Sequence, residues 1–197
     1  MRRGAGIVAV SLLLSGCAVS VVGEAVPAEG AASRTASTSA RPLPFMPKFD
    51  GRTNERNDGT SFEPCVAYSD DEMRGLGADP STIRDAAISE SPNYRGCYWQ
   101  SPDRVAFFSQ ELGNEKSLDA YKAKQSHRPW QPDRVINGRR VILTTERGTG
   151  CFASFMSEKA IVNSAYSIGS RGKPSADLVA ECNKAIEWAT LAISKAP

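Results

Sequence analysis

Apolar and polar positions divide this chain into three zones. Ile7 to Leu14 is a nearly unbroken apolar run, interrupted only by Ser11. From Glu24 to Pro44 the chain is mostly Ala, Ser, Thr, Pro and Gly, with no Ile, Phe, Trp or Tyr. Such a segment buries too little apolar surface to offset its ordering entropy, so it reads as a tether. Phe45 and Phe49 follow, but among Gly51, Asn54, Asn57 and Gly59. The tether is therefore drawn over 18–61 and one folded domain over 62–197.

Within the domain the period alternates between helix and strand. Ser69-Asp70-Asp71-Glu72 is a capping box, with Met73 and Leu76 as the inner side of a short helix and Gly75 and Gly77 ending it. Asp79-Pro80 opens a second short helical stretch, with Ile83, Ala87 and Ile88 inward. Gly96 to Gln100 and Arg104 to Ser109 read as strands about a Ser101-Pro102-Asp103 turn. Leu118, Tyr121 and Ala123 fit a helix near 115–125. Asn137-Gly138 between β-branched runs predicts a tight hairpin, because both turn residues need positive φ. Arg147 to Gly150 is the next turn, and strands follow over Cys151–Ser157 and Ala160–Ile168. Pro174 or Ser175 opens a last helix, with Leu178, Cys182, Ala185, Ile186, Ala189 and Ile193 at helical spacing. Consecutive hairpins with separate terminal helices predict an α+β fold: an antiparallel sheet of about six strands flanked by helices.

The N-terminus changes this from a fold into an address. Arg2 and Arg3 precede the apolar run, which is too short for a bilayer-spanning helix of ~20 residues. Leu14-Ser15-Gly16-Cys17 then closes it in the form of a bacterial lipobox. Residues 1–16 are expected to be a signal peptide, and Cys17 the lipidated first residue of the mature chain. The expected location is the extracytoplasmic face of the cell membrane. About 45 residues of coil would hold the domain on the order of 40 Å away. Removing residues 1–16 takes away Arg2 and Arg3 and no acid, so 24 Lys+Arg against 22 Asp+Glu becomes an even balance. The basicity belongs to the signal and does not argue for nucleic acid.

With Cys17 assigned to lipid, an odd cysteine count becomes four: Cys65, Cys97, Cys151 and Cys182. In an exported chain, two disulfides are expected. A four-cysteine zinc site would show close pairs, and none occur. Cys97 and Cys151 both open strands, so the simplest geometry joins them. Cys65 is then left for Cys182, and each loop would contribute ~4–5 kcal/mol by chain entropy.

Phe62-Glu63-Pro64-Cys65, Ser69 to Met73, Gly75-Leu76-Gly77, Gly96-Cys97-Tyr98-Trp99, Gly150-Cys151 and the late Cys182 together carry a resemblance. The chain resembles the domain-of-unknown-function 3558 family of small actinobacterial lipoproteins. Glu63 stands where that family usually has Asp. The resemblance implies an exported, lipid-anchored, disulfide-bonded domain and implies no activity.

Candidate chemistry is sparse. His127 is the single histidine and sits in a polar stretch before Pro129, where an exposed loop residue is expected rather than a catalytic base. Asp70, Asp71 and Glu72 are accounted for by helix capping. Neither a catalytic residue, a metal nor a cofactor is expected. Arg128-Pro129-Trp130-Gln131-Pro132 is the stretch singled out for binding, since Trp and Arg dominate interface hot spots and two prolines stiffen the loop. The competing reading folds Trp130 back onto the core edge. Trp99 and Trp188 lie in periodic segments and read as core.

The expected function is a non-catalytic binding module of the cell envelope, held by its lipid and contacting an envelope protein or a small apolar ligand. An alternative is a carrier of lipid or another apolar molecule, with a cavity lined by Phe107, Phe155, Ile161 and Ile186. A cell-wall hydrolase is a third reading.

Overall fold

The computed structural model describes residues 41–87, 93–146 and 148–197. Cys17, its lipobox, most of the expected tether and Ile88 lie outside the described residues. The elements are α1 (Pro64–Ala67), α2 (Asp70–Leu76), β1 (Asp79–Asp85), β2 (Arg95–Gln100), β3 (Ala106–Asn114), α3 (Leu118–Lys124), β4 (Trp130–Ile136), β5 (Arg139–Glu146), β6 (Gly150–Ser157), β7 (Ala160–Ile168) and α4 (Val179–Lys195). The strands form one antiparallel sheet in the order β1-β2-β3-β7-β6-β5-β4. Two meanders therefore meet at the β3–β7 seam, paired from Ala106↔Ile168 to Asn114↔Ala160.

The α+β class is as expected, with seven strands rather than about six. The extra strand is β1, read as helical from Asp79-Pro80. α2 ends at Leu76, with Gly77 as its cap: Gly77 sits at φ 91°, and the Gly77 and Ala78 amides close on the Arg74 and Met73 carbonyls. Beyond it Pro80 has no N–H to give a ladder. An edge strand with a bulge between Asp79 and Arg84 tolerates that. There the Thr82 hydroxyl accepts the Gln100 amide at 2.8 Å in place of a backbone carbonyl. The capping box and the Asn137-Gly138 turn form as the sequence predicts, with both turn residues at positive φ.

α4 opens later than expected, at Val179. The preceding turn is held by the buried Glu181, whose carboxylate accepts both the Ser175 amide and hydroxyl. Cys182, Ala185, Trp188, Ala189, Ala192 and Ile193 are its buried stripe. The alanines let the helix approach β5, β6 and β7 closely, and Trp188 fills the centre. Its ring centroid lies 5.2 Å from Trp99 and 5.6 Å from both Tyr68 and Phe108. Below them Gln110 is fully buried at the seam. It accepts the Tyr68 hydroxyl and donates to Ser164 at 2.8 Å. Burial pushes the Tyr68 phenol far above its ordinary range.

The disulfides are Cys65–Cys97 and Cys151–Cys182, which corrects the expected pairing. β3 and β7 stand between β2 and β6, so Cys97 and Cys151 are three strand intervals apart, ~14 Å. No disulfide bridges that distance. Each actual bridge closes a shorter loop, of sequence separation 32 and 31, worth ~3.7 kcal/mol by chain entropy. Both cysteines of the Gly-Cys elements face the helices, so the glycines face the other side. A Cβ on Gly96 would meet the Gln110 carbonyl at 2.0 Å, and one on Gly150 the Tyr166 carbonyl at 2.4 Å. Glycine is required by close strand approach at both.

Residues before Phe62 are packed as well, from Leu43 onward. Arg52, Asn57 and Thr60 are buried, and Leu43 and Phe45 pack on the core. What draws this segment down is polar. The Glu63 carboxylate is gripped by Arg52 at 2.7 Å and by Arg95 at 2.8 Å. Arg95 also donates to the Asn57 and Thr60 carbonyls, and Arg52 to the Gly96 carbonyl and the Cys65 sulfur. Composition shows none of this, since the charges are scattered along the sequence.

Arg95→Ala leaves two carbonyls and part of Glu63 unpaired in a buried setting. It is expected to cost about 3–5 kcal/mol in urea unfolding, whereas Arg74→Ala, at an exposed helical pair, should cost under about 1 kcal/mol.

Candidate functional site

The helix-covered face of the sheet is filled, so the site is sought on the other. Strand alternation and register lay out its rows. The lowest row runs Gly113, Ile161, Met156. Together with Ile142 it is capped by Leu118 and Tyr121 of α3 and flanked by Trp130. α3 is held there by the β4–β5 hairpin: Arg140 binds Asp119 and Asp133, each at 2.7 Å, and Lys122 binds Asp133 at 2.9 Å.

One row up, the register places Gly96, Glu111, Asn163, Ser154 and Ile142 side by side. This row is polar at its centre. Asn163 and Ser154 are 5% and 1% exposed, yet Asn163 Oδ1 and Ser154 Oγ have no hydrogen-bond partner among the described residues. Unpaired buried polar atoms are uncommon, and each costs free energy. The next row is Tyr98, Ser109, Ala165, Phe152 and Thr144. Above it Gln100, Phe107, Ser167 and Gly150 follow. Tyr98, Phe107, Ser109, Phe152 and Ser167 are half-exposed, an aromatic surface set among small residues.

Arg128 and Trp130, singled out in the sequence, both reach this face. Trp130 is half-buried on β4, its indole N–H donating to the Gln125 carbonyl at 3.2 Å and its ring edge-on to Tyr121 at 6.2 Å. Lys122 sits 5.4 Å above it. The expected stiff loop is thus the start of a strand, and Trp130 packs rather than projects. Arg128 lies over Phe152, 4.9 Å from the ring centroid, and its Nη1 is buried without a hydrogen bond. Three unpaired polar atoms, on Arg128, Ser154 and Asn163, therefore belong to one side of one sheet. Sequence reasoning missed Ser154, Asn163 and Glu111. A polar residue at alternate strand positions signals a face, but not which neighbours share its row.

Electrostatics mark the same place. Burial, above all, pushes the Tyr121 phenol up to about 12, and Tyr94 adds to it, while Arg128 and Asn163 pull the other way. Tyr94, lying against Gly113, is raised by burial and then by Glu115 and Glu111. A recess of about 280 Å³ runs beside these two tyrosines, lined also by Gly113 and Gln125. A wider basin of about 860 Å³ opens at the end of the sheet around Asn114, Glu115, Lys124 and Lys159. Much of its polarity is internally paired, with Lys124 on Glu115 at 2.7 Å, Asn114 on Asp58 at 2.8 Å and Glu158 on the Ser61 amide at 2.7 Å.

Other sequence candidates fall elsewhere. His127 is exposed. Asp70 and Asp71 pair with Arg74, and Glu72 with Lys195. Phe155 and Ile161 lie on opposite faces of the sheet, in separate clusters. Phe107, Phe155, Ile161 and Ile186 therefore do not line one cavity. Glu63, Cys65 and Cys97 come within 4.8 Å of one another, but the sulfurs are bonded to each other and the carboxylate to two guanidiniums.

A raised tyrosine favours the protonated fold. Its contribution is present below the unfolded value of ~10 and lost as pH rises through the folded one. Stability should therefore fall between pH 10 and about 12, and Tyr121→Phe should flatten that fall. Urea unfolding across this range, with phenolate absorbance as the second readout, checks it.

Among curated proteins and among solved structures, nothing matches this chain. A family model does, that of a protein of unknown function, DUF3558, over residues 12–195. The match takes in both Gly-Cys elements, both disulfides and all of α4, and the chain belongs to the DUF3558 family.

Proposed function

We propose that this protein is a non-catalytic binding module of the cell envelope, anchored through a lipid on Cys17, whose ligand surface is the sheet face opposite α4. The observation that carries this is the contrast between the two faces. One is sealed by Trp188 and the alanine stripe of α4, while the other presents half-exposed Tyr98, Phe107 and Phe152 above unpaired buried polar groups. Exposed aromatics over a desolvated polar patch are what recognition surfaces offer. No helix of the described residues is long and apolar enough to cross a membrane.

The lipobox supports attachment on the extracytoplasmic side. Two acyl chains make such an anchor stable, at ~0.8 kcal/mol per buried CH₂. Because Leu43 already packs on the core, fewer residues than expected separate Cys17 from the folded unit. The roughly 25 residues between them could reach at most about 90 Å. The ligand is then met close to the membrane surface.

Two measurements test this reading. Cys17→Ser should abolish palmitate labelling and move the protein from the detergent phase to the aqueous phase; unchanged partition would refute the anchor. A photoreactive residue placed at Ser109 should yield a discrete cross-linked adduct in living cells, whereas the same residue at the exposed Asn183 of α4 should not. Adducts at Asn183 alone would put the binding surface on the wrong face.

A further inference from the structure

Helices α3 and α4 are held to the sheet in different ways. α4 runs for 17 residues, buries seven of them and is bonded to β6 through Cys151–Cys182. α3 has seven residues and buries two, Leu118 and Tyr121. Against these lie Ile142, Ile161 and Met156, an apolar cluster separate from the core under α4. The packing is open along one edge, where the recess of about 280 Å³ runs between Tyr94, Gly113, Tyr121 and Gln125. A helix this short is not stable on its own and depends on what docks it.

Charge supplies much of that docking. Asp119 and Lys122, one turn apart on α3, meet Arg140 and Asp133 of the β4–β5 hairpin. Asp119–Arg140 closes at 2.7 Å and Lys122–Asp133 at 2.9 Å, and Arg140 also binds Asp133, so the four charges alternate. Lys124 adds a pair to Glu115 at 2.7 Å, beside the start of the helix. The four side chains of the alternating set are 27% to 72% exposed, which leaves their attraction open to screening by salt. The closed arrangement is opposed from within. Tyr121 of α3 comes within reach of Asn163, and Arg128 of the following connection covers Phe152 beside Ser154. Arg128 Nη1, Ser154 Oγ and Asn163 Oδ1 are buried there without a hydrogen bond among the described residues. A buried polar atom left unpaired works against the state that buries it, and lifting α3 with its connection returns such atoms to water.

We infer that α3, with the connections at 115–117 and 125–129, is an electrostatically latched lid. It is shut over Ile142, Met156 and Ile161 while Asp119–Arg140 and Lys122–Asp133 hold, and it lifts when they release. The bond from the Trp130 indole N–H to the Gln125 carbonyl breaks with them. Both ends of the lid are fixed to the sheet: the Glu115 amide donates to the Lys159 carbonyl at 3.1 Å, and Trp130 begins β4. Lifting brings the apolar strip, Ser154 and Asn163 into one surface with the half-exposed Phe152. The inference rests on packing and charge at α3 and holds whatever this sheet face binds.

The test is hydrogen exchange of the full-length chain, held in a non-ionic detergent, at about 0.1 M and about 1 M sodium chloride, between which the screening length falls from about 10 Å to about 3 Å. The amides of Tyr121 and Gln125, bonded to the Ser117 and Tyr121 carbonyls, report on α3. Those of Leu112 and Val162 report on the β3–β7 seam. The α3 amides should exchange faster than the seam at the lower salt and about threefold to tenfold faster again at the higher, with the seam unchanged. Arg140→Met should give a similar gain at the lower salt and leave little for salt to add. Ile161 is 1% exposed under the lid. The thiol introduced by Ile161→Cys should react with iodoacetamide in step with α3 exchange, and Ile142→Cys replaces that variant if it does not fold. Peptide mapping separates either thiol from Cys17. Three results overturn the lid: α3 amides exchanging only together with the seam, exchange indifferent to salt, or fast α3 exchange while the introduced thiol stays as protected as the seam. The last describes a fraying helix over a closed site.

Discussion

The docking of α4 is the constraint from which the rest follows. Trp188 enters a pocket of Tyr68, Trp99 and Phe108, and the alanines beside it bring the helix onto β5, β6 and β7. Cys151–Cys182 fastens the first turn of that contact covalently. Once one face is committed in this way, the sheet has a single remaining surface. α3 caps part of it, and the rows from Gly96 and Tyr98 upward are the surface proposed for recognition. The arrangement also places the seam under the helix, so Gln110 bridges Tyr68 and Ser164 where the two meanders join.

A second buried device fixes where the domain starts. Glu63 takes two guanidiniums, and through Arg52 and Arg95 it gathers the segment before α1, the start of β2 and the Cys65–Cys97 bridge. Removing one partner from such a group costs far more than the intact set contributes over an apolar equivalent, because the remainder is left charged and dry. Its role is to specify the path of the chain.

Local chemistry was legible in the sequence where it is decided locally. Ser69 with Glu72, Asn137 with Gly138, and the stripe from Cys182 to Ile193 each predicted the element found. Legibility ended where an outcome depends on which strands become neighbours. Cys97 and Cys151 look equivalent along the chain, and only the insertion of β3 and β7 between their strands separates them. Asp79-Pro80 has the form of a helix start, and only its place at a sheet edge makes it a strand. Residues 45–61 look like linker because the buried Arg52–Glu63–Arg95 group is assembled from positions far apart. The candidate site has the same origin: Glu111, Asn163 and Ser154 are unremarkable singly and become neighbours in one row only through two registers at once. Arg128 was visible beforehand as part of an unusual stretch, although its neighbour Trp130 belongs to the packing of α3.

That one face is sealed and the other serves recognition is tested most directly by oxidative footprinting of the chain in two settings, purified in detergent and in native envelopes. The account requires Tyr98, Phe107 and Phe152 to be labelled in the purified protein and protected in the envelope, with the exposed Val179 of α4 labelled equally in both. Equal labelling of the three aromatics in both settings, or protection confined to Val179, would contradict it.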